Sequence, residues 1–142
     1  MLETIKKTYH HGCLAGAMKR VARDLIAAGE KPNLREVARR IGVTATSGYR
    51  HFQSVEDLFG QVAKEDLAEL DAVVRAASDP AVACIEWVFA NRFRFAHAVA
   101  SGRTHMDAFA DIFGSRWPAV YGASTLAAEG LISVEQARAA VA

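Results

Sequence analysis

Along the first third of the chain, Leu14, Ala17, Met18, Val21, Ala22 and Leu25 recur at steps of three and four residues, with Lys19, Arg20, Arg23 and Asp24 on the other face. This period predicts an amphipathic helix. Gly29 is placed to end it, because a glycine enters the left-handed region without a Cβ clash. The next stretch, NLREVARRIGV, puts Leu34, Val37, Ala38 and Ile41 on one face. Asn33 is positioned to cap the free N–H groups and Glu36 to reach back, in a capping-box pattern. Gly42 then stops a helix of about two turns. Thr44 caps a third helix running through Tyr49 to about Phe52. Ser54 caps a fourth, which turns Leu58, Phe59, Val62, Ala63, Leu67, Leu70 and Val74 inward and is long enough to link two parts of the protein.

Asp79-Pro80 reads as another start, with Asp as cap and Pro at the first helical position. The segment AVACIEWVFANRFRFAHAVASG reads as a single helix, apolar on most faces and ended by Gly102. Shorter helices follow around His105–Phe113 and from Pro118 to near Gly130, and Ser133 with Gln136 opens a last one. There is no alternating strand pattern and no internal repeat. The expectation is an all-α chain: a three-helix domain over residues 1–54, joined by the long fourth helix to a helical domain over residues 55–142.

With 142 residues, 51% of them hydrophobic, the chain can bury a substantial core. No apolar run approaches the roughly 20 residues that span a bilayer, and no apolar stretch follows the basic N-terminus as in a secretory signal. A cytoplasmic protein without a membrane partner is expected. Cys13 and Cys84 are far apart, which argues against a disulfide framework, and Cys84 reads as a small buried hydrophobe. The net charge of +1 conceals an asymmetry: Met1–Phe52 carries 10 Lys/Arg against 4 Asp/Glu, and the remainder 7 against 12. The basic end suits a polyanion, although a solvated charged surface gives the same count.

Ala38 and Gly42, four residues apart and followed by Val43, allow two short helices to cross closely through a tight turn. This is the grammar of a helix-turn-helix. The third helix then presents Ala45, Thr46, Ser47 and Arg50 to a groove, with Tyr49 and His51 near phosphates. Other chemistries fit less well. Ser47 and His51 lie one turn apart with no third group to orient the histidine. His10, His11 and Cys13 lack a fourth ligand for a tetrahedral metal. Neither an enzyme, a metal site nor a cofactor is expected.

Residues 9 to about 60 resemble the DNA-binding domain of TetR-family transcriptional regulators, in particular members beginning with YHHG. The stretches that carry the resemblance are Tyr9-His10-His11-Gly12, LREVARRIGV and YRHFQSVEDL. The resemblance implies that Arg35, Ala45 and Thr46 approach base edges and that Ser47, Tyr49 and His51 hold phosphates. Thr44 and Arg50 join that set, and Lys6 and Lys7 form a basic arm on the backbone. Arg to guanine and Ala or Thr methyl to thymine are compatible contacts. As alternatives, Tyr49 and Phe52 are core aromatics and Arg50 is merely solvated. Three positions depart from the family pattern. Gly48 replaces a bulkier residue and is expected to loosen the third helix, Val55 replaces a lysine, and Cys13 replaces an acidic cap.

The resemblance further implies a ligand-responsive repressor that binds palindromic double-stranded operator DNA as a homodimer, with a small-molecule effector in the second domain. The chain stops about where the family's dimerisation helices begin, as a short variant or a fragment would. Trp87, Phe89 and Phe93, or the helix from Pro118 to Glu129, are then expected to make the dimer contact. Aromatic and titratable residues nominate Trp87, Phe93, His97, Met106, Phe109, Trp117 and Tyr121 as pocket lining, with ordinary core as the alternative. A helical ligand- or partner-binding protein with a weakened DNA-reading head is the competing function.

Overall fold

The computed structural model describes residues 13–101 and 104–142, with side chains left aside at 104–106 and 108. The described residues form helices and no strand: α1 (Cys13–Ala27), α2 (Leu34–Ile41), α3 (Ala45–Tyr49), α4 (Val55–Ala76), α5 (Pro80–Ala90), α6 (Arg92–Ala100), α7 (Thr104–Phe113), a 3₁₀ turn (Gly114–Arg116), α8 (Trp117–Ala128) and α9 (Val134–Val141). The protein is all-α. It divides into two compact units, Met1–Lys64 and Glu65–Ala142. The division therefore falls within α4 rather than before it, since Leu58 and Val62 belong to the core of the first unit.

In the first unit the apolar faces foreseen for α1, α2 and α4 meet. Met18, Val37, Ile41, Phe52, Leu58 and Val62 are nearly inaccessible to solvent, and each such side chain contributes roughly 1.5–3 kcal/mol on burial. The helix ends are chemically closed. Gly29 and Gly42 adopt φ of 82° and 84°. Gly42 and Val43 both donate to the Ala38 carbonyl at 3.0 Å, which satisfies the last turn of α2. At the start of α4, Ser54 Oγ accepts from Asp57 N at 3.1 Å, and Asp57 in turn accepts from Gln53 N at 3.0 Å.

Helix α3 is shorter than its pattern suggests. It ends at Tyr49 instead of reaching Phe52, because the chain turns to bury Phe52, with His51 N and Phe52 N both donating to the Gly48 carbonyl (3.1 and 3.2 Å). Gly48 itself is buried. A Cβ built on it would lie 2.9 Å from the Met18 methyl and 3.5 Å from Leu34 Cγ. The expectation of a loosened helix is thus corrected: the missing side chain is the space through which α3 seats on α1 and α2.

The second unit packs α5, α8 and α9 through small residues, with Ala81, Ala123, Ala127 and Ala137 all buried. Ile85, Val88, Phe95, Phe109, Val120 and Val141 fill the space between them. Cys84 lies in this core beside Ser124, and burial pushes its thiol up to about 11, so it stays protonated and inert at neutral pH. The single helix expected after Pro80 is instead two. At Asn91 the backbone leaves the helical region (φ −122°, ψ 37°). Its side-chain amide donates to the Trp87 carbonyl at 2.9 Å while its own N–H does the same, and its Oδ1 accepts from Arg94. The Asn91 side chain thus shares the Trp87 carbonyl with the backbone at the residue where the two helices meet.

Gly48→Leu is expected to lower stability by about 1–3 kcal/mol through overpacking, whereas Gly48→Ala is close to neutral because helix propensity offsets a displaced Met18 methyl. In a Met18→Ala background the Gly48→Leu penalty shrinks. Denaturant unfolding of the four proteins of this cycle measures the coupling, and strictly additive penalties contradict the packing.

Candidate nucleic-acid interface

The residues proposed to face DNA are sorted by what the helices do with their neighbours. Thr44 is the N-cap of α3, and its Oγ1 accepts from Ser47 N at 3.2 Å and lies 3.1 Å from Ser47 Oγ. Both hydroxyls therefore hold the start of the helix, and Ser47 is only partly accessible. One turn later the buried Gly48 and Phe52 fix the inner side. Tyr49, Arg50 and His51 are consequently left outside, with Tyr49 59% exposed. The core-aromatic alternative holds for Phe52 and fails for Tyr49. Thr46 is exposed and Ala45 partly so. Lys6 and Lys7, like His10 and His11, lie outside the described residues.

On α2 the first-turn Arg35 is exposed. Neither Arg35 nor Arg50 forms an ion pair among the described residues. Arg39 and Arg40 differ. Glu36, whose backbone N–H donates to Asn33 Oδ1 at 2.8 Å, does not reach back to complete the box. Its carboxylate instead receives Arg39 through two bonds (2.9 and 2.8 Å) and Arg40 through one (3.0 Å). Those hydrogen bonds, from Arg39 first and Arg40 next, pull the Glu36 carboxyl from 4.5 to about 2. Glu36 thus engages both arginines of the last turn of α2, and Glu30 lies 3.8 Å from Arg40 as a second acid, so these two cations have acidic partners that Arg35 and Arg50 lack among the described residues.

The seven residues nominated as pocket lining are not gathered into one cavity. Phe109, Trp117 and Tyr121 join Phe95 in an edge-to-face aromatic cluster with centroids 5.6–6.4 Å apart, which is core packing. Trp87 is buried and donates its Nε1 to Glu69 at 3.0 Å, so it is removed from the expected dimer face. His97 is half-buried, and burial lowers its pKa against the opposing pull of Asp66. The side chain of Met106 lies outside the described residues. Phe93 and Tyr121 do line a groove between α6 and α8, together with Arg92, Phe95, Val99, Thr125, Ala128 and Glu129, which the sequence reading missed. The available signal was the asparagine in mid-segment, Asn91, at which α5 ends and after which α6 starts at Arg92.

The chain matches no model of a known protein family, no curated protein and no solved structure among those compared. Among the described residues, no helix is long and apolar enough to cross a membrane.

The Glu36 shift carries a pH dependence with a definite sign. A carboxyl whose folded pKa lies below its unfolded value adds stability that is present above about pH 4.5 and is lost as the pH falls through about 2. The melting-temperature advantage of the parent over Glu36→Gln is therefore expected to shrink across that window and to weaken in salt, because the pair is exposed. A gap independent of pH contradicts the assignment.

Proposed function

We propose that the chain is a DNA-binding transcriptional regulator of TetR type, a ligand-responsive repressor that binds palindromic operator DNA as a homodimer. The observation that carries this reading is the sorting on α3. Buried Gly48 and Phe52 hold the inner side, while Tyr49, Arg50 and His51 stand exposed, as does Arg35 on α2, the helix against which α3 packs. Two cations, a phenol and an imidazole, carried by α2, the end of α3 and the turn that follows it, suit a phosphate backbone and a base edge. Arg35 and Thr46 are assigned to bases, and Tyr49, Arg50 and His51 to phosphates. Exposed Phe89 on the second unit, outside the groove that Phe93 lines, supplies apolar surface for a symmetric contact.

A second reading is favoured by the five-residue length of α3 and by the engagement of Arg39 and Arg40 with Glu36. In it the head is weakened and the second unit is the working part, as a ligand- or partner-binding helical domain.

Selection from a randomised duplex library at low salt, followed by fluorescence anisotropy, separates the two. The regulator reading predicts enrichment of a palindrome whose affinity falls steeply with salt. Arg35→Ala costs about 1–3 kcal/mol and relaxes one base position, whereas Tyr49→Phe weakens all sequences alike. Absence of any enriched sequence rejects the regulator and leaves the second reading.

A further inference from the structure

The groove between α6 and α8 has a volume of about 630 Å³, within the roughly 300–1,000 Å³ typical of small-molecule sites. Its walls are apolar, formed by Phe93, Phe95, Val99, Tyr121 and Ala128. The Thr125 hydroxyl is committed to the Tyr121 carbonyl at 2.9 Å, so it adds no free donor. Two charged side chains complete the lining. Arg92 and Glu129 are both exposed, and neither forms an ion pair among the described residues. The Arg92 guanidinium carbon lies 4.8 Å from the centroid of the Phe93 ring, which holds the cation against the apolar wall.

An apolar trough with one guanidinium at its wall matches a molecule with an apolar body and a single acid group. Guanidinium pairs with carboxylate through a two-pronged fork, more strongly than neutral groups do. Glu129 repels a second negative charge, which disfavours polyanions such as phosphate esters. A cationic ligand meets Arg92 already over the Phe93 ring. We infer that this groove is a binding site for an amphipathic monocarboxylate, its acyl or aryl body along Phe95, Val99 and Tyr121 and its carboxylate on Arg92. Such a molecule fits the effector of the proposed regulator, but the inference concerns the second unit alone and is read without DNA.

The test is isothermal titration of the full chain with decanoate, naphthalene-2-carboxylate and decan-1-ol. At least one carboxylate is expected to bind with one site per chain, and which of the two does so distinguishes an acyl from an aryl body. Arg92→Gln is expected to weaken that carboxylate about tenfold or more, the loss of a charge-assisted hydrogen bond, while decanol binding is unchanged and Arg92→Lys restores part of the affinity. Ala96→Trp, placed on the exposed lip of the groove, is expected to abolish binding of both carboxylate and alcohol while circular dichroism stays that of the parent. No carboxylate binding at millimolar concentration overturns the proposal. So does an Arg92→Gln variant with parental affinity, or a folded Ala96→Trp variant that binds as before.

Discussion

The first unit depends on one close approach, the seating of Gly48 against the Met18 methyl and Leu34. A five-residue helix has too few internal hydrogen bonds to persist alone. It is held by its Thr44 cap, by this contact and by Phe52, which enters the core one turn later. Once those points are fixed, the rotation of the helix is fixed too, and the side chains between them have nowhere to go but outward. The exposure of Tyr49, Arg50 and His51 is therefore a consequence of packing rather than of their polarity. A bulkier residue at 48 would lift or turn the helix and re-aim all three.

The second unit is organised around a mostly buried charge cluster. Asp66 is almost wholly buried and Arg94 largely so, with Arg94 Nη2 donating to Asp66 at 2.7 Å and to Glu69 at 2.8 Å. Glu69 also accepts from Trp87, and Arg94 stands 5.2 Å from the Trp87 ring. Such a cluster yields little net stability but is costly to break, because removing one partner strands the other in a dry site. Its place in the fold is clearer. Arg94 also donates to Asn91 Oδ1, at the residue where α5 ends and α6 begins, and α6 with α8 forms the walls of the apolar groove.

Much of the fold was legible because helix ends are written in local chemistry. Asn33, Thr44, Asp79 and Ser133 each accept a backbone N–H as their positions suggest, and Ser133 with Gln136 completes a full capping box. The apolar faces of α1, α2 and α4 followed from period alone. What was illegible involves choices between partners. Glu36 had the spacing to return to Asn33, yet two arginines on the next turn compete for the same carboxylate and win. Gly48 looked like a weak helix residue because only the tertiary neighbours, Met18 and Leu34, reveal the gap it fills. The aromatic residues of the second unit were divided between core and groove by the break at Asn91, which composition does not encode.

The central claim is that the outward face of α2 and α3 meets duplex DNA. It is tested most directly by mapping backbone amide shifts in the full chain, by heteronuclear NMR, as a short duplex is added at low salt. The account predicts perturbations centred on Arg35, Thr46, Tyr49, Arg50 and His51 that fade as salt is raised, with the buried α1 positions Ala17 and Ala22 little changed. Saturating duplex that leaves these amides unmoved, or moves mainly residues of the second unit, contradicts it.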